Sequence, residues 1–596
     1  MYDTLTDKQK KIVDCKMSQI IVKACPGSGK TYSVTARLAK LLNENKYRHQ
    51  GIAVLSFTNN ACDEIKGYLK DLCNINDVGY PHFIGTLDNF INSYIFLPFG
   101  HLIMGCDKRP EIVGTEYNKW YQYDSSIRKW NGYKNVIADP SYFFDKISFN
   151  REGKLIPLLP YSNYFWGKKD WDNQYLTDGS RLKTVISDLI NAKEYHFSQG
   201  NANQADANYF AYRLLIEYPK ISENLAKRFP TIIIDEAQDT TELQMAIIDI
   251  LNASLENLML IGDPNQAIFE WNTADPSLFM DKYKSEEWHH IPLDENRRSS
   301  QNICNLLNKF YNENMNSISD SKDCPLMPKL LEHDETTKPI SAIKDQFLKE
   351  CKDKSIHGKN IAIVFRGLSF GEQYFNLTNE YKDFEELPWQ NGKYHVRDIV
   401  HGKYLIDNGK LKDGLKLLER GFFKLKNDDL KYVTSKYIQE QIEMEGFRNY
   451  RKNIFDFISS LPDTTNKTLI LWIKEAEEKL NEKLEMDKRK GNLPISSYFP
   501  ERAKENNFEY HLGTIHSVKG STYDGLLVFL KKASANSDYK TILSKSYRKH
   551  NADTIKRDEE EIRIVYVACS RPKKLLWLAV YEGEHKKVWN DFLKYE

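Results

Sequence analysis

Residues 19–42, QIIVKACPGSGKTYSVTARLAKLL, decide which fold we expect for this chain. The β-branched run at 19–23 predicts a strand, and the loop at 24–30 contains Gly27 and Gly29 ahead of a segment with helical spacing. In such a loop the backbone N–H groups surround a phosphate, and the helix N-terminus adds its positive end. The order strand, glycine loop and helix therefore predicts a nucleotide-binding loop.

Two side chains at the end of this loop have chemistry suited to a triphosphate. Lys30 can reach the β- and γ-phosphates, and the Thr31 hydroxyl can be a ligand of Mg²⁺. The general pattern places a glycine where this chain has Ala24, and a GKT sequence can also form an ordinary strand-to-helix turn. The order of the three elements favours phosphate binding over that alternative.

Length and composition exclude several classes of protein. The 596 residues suffice for about three to five domains, so the chain is not a small binding module. With 84 Lys+Arg against 83 Asp+Glu, the net charge of +1 gives no global attraction to polyanions, which local patches would have to bind. Nine scattered cysteines favour a reducing compartment, and no apolar stretch approaches the ~20 residues that span a bilayer. We predict a cytoplasmic protein without a membrane partner.

Polar residues follow several predicted strands. The strand at 51–57 is followed by Thr58 and Asn59, and the strand at 82–84 leads into Thr86. Strands that alternate with helices predict an α/β fold with a parallel sheet. Ligands of such sheets lie at the carboxyl ends of the strands, so these polar residues are candidates for binding.

Two adjacent carboxylates, Asp235 and Glu236, directly follow the β-branched strand at 231–234. Such a pair is costly unless it faces a cation or a reacting water. We assign Asp235 to Mg²⁺ and Glu236 to the base that orients the attacking water; the alternative, a solvated turn, fits poorly after a buried strand. The next strand, at 258–261, precedes Gln266, which could sense a γ-phosphate.

Other candidate residues have a local explanation that competes with a functional one. Gln9 is placed to complete a capping box with Thr6, although its amide could instead read the edge of adenine. Phe269 and Trp271 could form a platform for stacking DNA bases, or they could belong to the core. The sequence leaves both alternatives open.

Several longer segments complete the organisation of the chain. Residues 206–228 and 560–571 have helical patterns, whereas the polar stretch 531–557 predicts a loop. The segments 97–200 and 367–506 lack the alternation of strands and helices, so we interpret them as inserted subdomains. Aromatic and lysine residues of the first insertion could bind bases and phosphates, but each single aromatic residue fits a small core better.

Together these stretches resemble the motifs of superfamily 1A DNA helicases, the UvrD, Rep and PcrA group, whose loop also begins with alanine. They occur in the order of the family and cover both halves of its motor. The matching stretches are LTDKQ (5–9), ACPGSGKT (24–31), SFTNNACDEI (56–65), GTLDNF (85–90), DEAQD (235–239), IGDPNQAIFEW (261–271), NRRSS (296–300), GTIHSVKGSTYD (513–524) and EEIRIVYVACSR (560–571).

The resemblance implies two RecA-like P-loop domains, 1A and 2A, each a parallel sheet flanked by helices, and two mainly helical inserted subdomains, 1B and 2B. The implied boundaries are 1–96 and 206–290 for 1A, 97–205 for 1B, 291–366 and 507–596 for 2A, and 367–506 for 2B.

The resemblance also implies ATP hydrolysis with Mg²⁺ in the cleft between 1A and 2A, and 3′→5′ movement on single-stranded or tailed duplex DNA. The implied catalytic residues are Lys30, Asp235, Glu236, Gln266, Arg298 and Arg571. The implied nucleotide-binding residues are Gln9, Gly27, Ser28, Gly29, Lys30, Thr31, Arg297 and Gly520, with Thr31 and Asp235 as metal ligands. The implied DNA-binding residues are Phe57, Thr58, Asn59, Thr86, Phe269, Trp271 and His516.

The sequence departs from the family's pattern in three of its motifs. Arg297 replaces a tyrosine that usually stacks on adenine, Asn272 replaces an arginine, and the sequence GSTY at 520–523 replaces Gly-Leu-Glu-Phe. The last form resembles divergent standalone relatives, including the helicase subunits of anti-phage systems such as Gabija. The weakened motifs favour a second hypothesis: a DNA- or nucleotide-sensing ATPase switch that regulates a separate nuclease subunit without processive unwinding.

Overall fold

The computed structural model forms two compact units, Met1–Gly367 with Glu509–Glu596, and Leu368–Phe508. The residues that it describes are 2–44, 50–76, 78–112, 147–157, 190–191, 193–268, 274–333, 339–375, 388–389, 394–427, 433, 435–499, 509–530, 543, 552–581 and 584–593. Phe269 and Trp271 lie outside these ranges.

The larger unit contains a six-stranded sheet in which every pairing is parallel. Its strands are β1 (Gln19–Ala24), β2 (Ile52–Ser56), β3 (Phe83–Thr86), β4 (Thr231–Ile234), β5 (Asn257–Gly262) and β6 (His289–Leu293). Their order across the sheet is β6-β1-β5-β4-β2-β3. Because the sheet is parallel, all six carboxyl ends lie along one edge.

Helices cover both faces of this sheet. They are α1 (Asp7–Asp14), α2 (Lys30–Asn43), α3 (Asn59–Cys73), α4 (Leu87–Ile91), α5 (Gln204–Glu217), α6 (Lys220–Arg228), α7 (Glu242–Asn252) and α8 (Pro276–Lys284). Side chains of a strand alternate between faces, so Ile20 and Val22 of β1 pack in one core and Ile21 packs in the other. Burial on both faces explains why β4 reads as an uninterrupted β-branched run.

A second parallel sheet, with five strands, lies in the same unit. Its strands are β7 (Lys329–His333), β8 (Ile361–Phe365), β9 (His511–Thr514), β10 (Tyr523–Phe529) and β11 (Pro572–Tyr581), in the order β7-β11-β10-β8-β9. Its helices are α9 (Gln301–Tyr311), α10 (Ile340–Asp353), α11 (Ala552–Cys569) and α12 (Glu584–Leu593). Two parallel sheets flanked by helices confirm the predicted α/β class.

Segments between these elements carry shorter structure. The described part of 97–205 includes the helices Leu97–Phe99 and His101–Met104 and the strands Glu111–Ile112, Ile147–Phe149, Leu155–Pro157 and Asn201–Ala202. Most of the aromatic and lysine residues noted in this insertion lie outside the described residues. The domain boundaries drawn from the sequence stay predictions.

The smaller unit is helical in its described part. Its helices are Leu368–Phe375, Tyr394–Asp407, Leu411–Lys426, Ser435–Glu445, Phe447–Ser460 and Leu469–Leu480. The last five of these helices share a core that includes Trp389 and Trp472. The indole N–H of Trp472 donates to the Pro462 carbonyl oxygen at 2.9 Å. Among the described helices of the whole chain, none is long and apolar enough to cross a membrane.

Two of the predicted elements differ from the structure. The helical stretch predicted at 206–228 is two helices, because Pro219 interrupts the backbone hydrogen bonding between α5 and α6. The loop predicted at 531–557 is wrong at its end, since α11 already begins at Ala552. The prediction took the charged residues before 557 as a loop, but a solvated helix turn has a similar composition.

Candidate active site

The phosphate loop joins β1 to α2 and has two residues with left-handed backbone, Gly27 at φ 67° and Gly29 at φ 78°. A Cβ at Gly29 would lie 2.8 Å from Nε2 of Gln9, and one at Gly27 would lie 2.7 Å from Cβ of Arg298. Glycine is therefore required at both positions, because of the left-handed backbone and because Gln9 and Arg298 approach too closely for a Cβ. The Ser28 hydroxyl donates to the Cys25 carbonyl oxygen at 2.8 Å and holds the loop from within.

The two acidic residues at the end of β4 face this loop. The Thr31 hydroxyl donates to Oδ2 of Asp235 at 3.2 Å, and Nζ of Lys30 lies 3.7 Å from Oε1 of Glu236. Glu236 has left-handed backbone at φ 57°, and its N–H donates to Oδ1 of Asp235 at 2.9 Å. The structure thus brings together the predicted phosphate, metal and base residues of this sheet.

Electrostatics distinguish the two carboxylates. Burial and the neighbouring Glu236 raise the pKa of Asp235. Burial also acts to raise the pKa of Glu236, but Lys30 and Lys519 outweigh it and lower that pKa. The raised pKa of Asp235 means that its charge needs a nearby cation, and together with the Thr31 hydroxyl oxygen it offers the oxygen ligands that suit a hard cation such as Mg²⁺. The lowered pKa of Glu236 keeps that carboxylate ionised, as a proton acceptor must be.

Arginines from the second half of the unit approach the same place. An N–H group of the Arg571 guanidinium donates to Oε1 of Gln266, and its Nε donates to the Val567 carbonyl oxygen at 2.9 Å. Burial and the nearby Arg298 lower the pKa of Arg571 to about 9. Nη1 of Arg298 donates to the Ser570 carbonyl oxygen at 3.1 Å. Two cations held this close to each other are suited to an anionic ligand.

Gln9 has the local role that its position predicts. Thr6 and Gln9 form the capping box of α1, and the Gln9 side chain is fully buried. Its Nε2 donates to the Ser28 carbonyl oxygen at 3.0 Å, and its Oε1 accepts from Nη1 of Arg297 at 2.8 Å. Both ends of the amide are therefore bonded to protein, which ties α1 to the phosphate loop and to Arg297.

The described DNA-binding candidates lie at strand ends. Phe57, Thr58 and Asn59 follow β2, and Thr86 ends the adjacent β3, paired with Ser56. Thr58 and Thr86 cap helices, accepting from Ala61 N at 3.3 Å and Asn89 N at 3.2 Å. These residues lie on the same edge as the phosphate loop.

Two further candidates follow β9 in the second sheet. His516 lies in the turn Ile515–Val518, and burial lowers its pKa. Gly520 is exposed, with left-handed backbone at φ 89°. Its predicted contact with nucleotide stays a prediction.

Three polar residues of the site escaped the prediction from sequence. Gln238 is fully buried and donates to Oε2 of Glu236 at 2.6 Å, and Nζ of Lys519 donates to Oδ2 of Asp239 at 2.8 Å. Gln238 and Asp239 lie within the DEAQD stretch, and Lys519 lies in VKG of the second sheet. Position in a motif was the available signal, but sequence does not reveal a contact across 280 residues.

Comparison with known proteins agrees with this geometry. Residues 5–287 match the model of the UvrD/REP helicase N-terminal domain. The chain is 22% identical to a probable DNA helicase II homolog of Mycoplasma pneumoniae, over 97% of this chain and 84% of that protein. It is 24% identical to the ATP-dependent DNA helicase Rep of Buchnera aphidicola, over 61% of this chain and 53% of that protein.

Residues 5–287 thus match the UvrD/Rep helicase family, and the similarity to a DNA helicase II homolog extends over nearly the whole chain. Proteins to which it is similar are named as DNA helicases and ATP-dependent DNA helicases. It is also 30% identical to the exonuclease/helicase subunit RexA of Lactococcus lactis, over 36% of this chain and 17% of that protein. The chain thus spans most of the length of the mycoplasma relative, about half of Rep and a small part of RexA.

Proposed function

We propose that this chain uses ATP hydrolysis to move 3′→5′ along single-stranded DNA and thereby separates duplex strands. The observation that carries the proposal is a nucleotide site whose cations come from both sheets. Lys30 follows β1 of the first sheet, whereas Arg571 precedes β11 of the second. A γ-phosphate would draw these cations together, so that binding closes the cleft and hydrolysis releases it.

The residues of the site divide the work of hydrolysis. Lys30 binds the β- and γ-phosphates, and Arg298 and Arg571 stabilise the charge that develops during transfer. Glu236 accepts a proton from the attacking water; its lowered pKa keeps the carboxylate ionised, and the hydrogen bond from Gln238 fixes its position. Thr31 and Asp235 would hold Mg²⁺, which neutralises charge on the phosphates when it is bound.

The strand ends beside the nucleotide provide a path for DNA. Thr58, Asn59 and Thr86 of the first sheet and His516 of the second could contact the DNA backbone, while Phe57 could stack on a base. Stacking and phosphate contacts tolerate any sequence, as a translocating motor requires. Alternating contact by the two sheets as the cleft opens and closes would then give net movement.

A separate nuclease subunit is part of the proposal. One relative is named as a subunit of an exonuclease/helicase, which supports a similar partnership here. Co-purification of the tagged chain from its native host, followed by a nuclease assay with and without ATP, tests this point.

Strand displacement is the experiment that tests the main proposal. Duplexes with a 3′ or a 5′ single-stranded tail are incubated with the protein and ATP, and a blunt duplex is the control. We expect displacement of the 3′-tailed substrate. Displacement of the 5′-tailed substrate alone would refute the polarity, and DNA-stimulated hydrolysis without displacement of either would favour the ATPase switch.

A further inference from the structure

The amide of Gln238 is bonded on three sides inside the active site. Nε2 donates to Oε2 of Glu236 at 2.6 Å and to Oδ2 of Asp239 at 3.2 Å, while Oε1 accepts from the Asp263 N–H at 3.0 Å. Carboxylates only accept and a backbone N–H only donates, so the reversed amide would lose every one of these bonds. The orientation of Gln238 is therefore determined, and with it the position of the Glu236 carboxylate.

A lysine from the second sheet supports this arrangement from across the cleft. Nζ of Lys519 donates to the same Oδ2 of Asp239 at 2.8 Å, and the two side chains are only 14% and 1% exposed. Among the described residues, the other oxygen of Asp239 is buried without a hydrogen-bond partner. Two carboxylates, the partly buried Glu236 and the buried Asp239, thus share one amide, and Lys519 supplies the charge that keeps Asp239 in place.

Strand β5 packs closely against Gln238. A Cβ on Gly262, the last residue of β5, would lie 2.5 Å from Oε1 and 3.1 Å from the backbone N of Gln238. Glycine is therefore needed for the close approach of the strand. Asp263 in turn accepts from Nε2 of Gln266 at 2.6 Å, and Gln266 contacts Arg571. Both contacts from the second sheet, through Lys519 and through Arg571, meet at Gln238.

We propose that Lys519 controls the orientation of Glu236 from across the cleft, through Asp239 and Gln238, so that water is activated only when the two sheets are closed. The inference rests on the proposed role of Glu236 as the base. Lys519 follows the turn that contains His516. DNA bound at that turn would therefore also affect the contact between Lys519 and Asp239. Lys519 and Gln238 are positioning residues that act on the reaction through Glu236.

The variants Lys519→Met and Gln238→Met test the proposal, with DNA-stimulated phosphate release measured against ATP concentration. Misplacing a reacting group by about 1 Å can cost about 10²-fold in rate, so we expect a loss of that order in kcat for each variant. The KM for ATP should stay the same, because neither side chain belongs to the phosphate loop. Lys519→Arg should restore most of the lost rate, since it keeps the charge opposite Asp239.

The double variant distinguishes this pathway from two unrelated defects. If both residues act through one chain of contacts, Lys519→Met adds little to the loss that Gln238→Met already causes. Gly262→Ala should reproduce the loss with Lys519 intact, because the added methyl group displaces Oε1. Lys282→Met is the matched control: it removes another lysine–aspartate bridge, to Asp249, and should leave kcat unchanged.

Each adverse outcome has a distinct meaning. Wild-type kcat in Lys519→Met, or losses that multiply in the double variant, would overturn the inference and leave the proposed function standing. A loss of rate with a raised KM and no rescue by arginine would also overturn it, since it would point to a general distortion. A wild-type protein without DNA-stimulated hydrolysis would overturn the proposed function and this inference together.

Discussion

Replacing Glu236 by Gln removes a negative charge while it keeps the shape of the side chain. The Lys30 ammonium, 3.7 Å away, then loses its ion-pair partner, a carboxylate that competes with the phosphates of ATP. At an effective dielectric constant of about 20, two unit charges at this separation interact by about 4.5 kcal/mol, which is the upper limit of the effect. Because Glu236 is about a quarter exposed, solvent screening reduces this limit substantially.

We therefore expect Glu236→Gln to bind ATP about tenfold more tightly, which corresponds to about 1.4 kcal/mol. The same variant should lose about 10²- to 10⁴-fold in kcat, the contribution of a general base. A fluorescent ATP analogue measures binding, and phosphate release in the presence of single-stranded DNA measures turnover. The two quantities should move in opposite directions.

Two results with Glu236→Gln would refute these expectations. Turnover near the wild-type level would show that Glu236 is not the base. Weaker ATP binding would show that its contact with Lys30 does not compete with the phosphates. Glu217→Gln is the matched control, since Glu217 pairs with Arg213 on the surface of α5 and should change neither quantity.

Four further predictions concern DNA, catalysis and stability. Trp271→Ala should weaken single-stranded DNA binding by ~1–3 kcal/mol if the indole stacks on a base; unchanged affinity with a lower melting temperature would place it in the core. Arg571→Ala should lower DNA-stimulated hydrolysis by about 10³- to 10⁵-fold, whereas an unchanged rate would remove it from the site. Lys193→Met should lower the free energy of unfolding by about 3–5 kcal/mol, because it leaves the fully buried Asp206 without its cation; a melting temperature equal to wild type would contradict this. Burial and Lys193 lower the pKa of His196 to about 4, below its value near 6.5 in the unfolded chain, so stability should be complete above pH 6.5 and decline by about 1.4 kcal/mol per unit toward pH 4; His196→Gln should flatten that slope in pH-dependent melting.

Elements with a local cause were predictable from sequence. β4 has the predicted bounds, Thr231–Ile234, because a strand buried on both faces needs an uninterrupted β-branched run. The capping box at Thr6 and Gln9 was predicted as well, because it depends on residues three positions apart. Where burial did not decide the composition, as at the start of α11, the prediction failed.

Contacts between distant parts of the chain were not predictable in this way. The side-chain amide oxygen of Gln9 accepts from Nη1 of Arg297, and this contact could not be inferred from the helix cap alone. The role of Gln238 was also missed, although it lies two residues after Glu236. The role of a buried amide depends on the donors and acceptors around it, and for Gln238 these come from two separate segments, residues 236–239 and Asp263.

The sequence by itself indicated the family and the α/β class and predicted the parts of the nucleotide site, because glycine conformation, β-branched burial and paired carboxylates act over a few residues. The tertiary structure decided how those parts are connected. Lys519 and Asp239 are 280 residues apart, yet their ion pair is almost excluded from water. Closure of that distance depends on two sheets folding side by side, which no local pattern encodes.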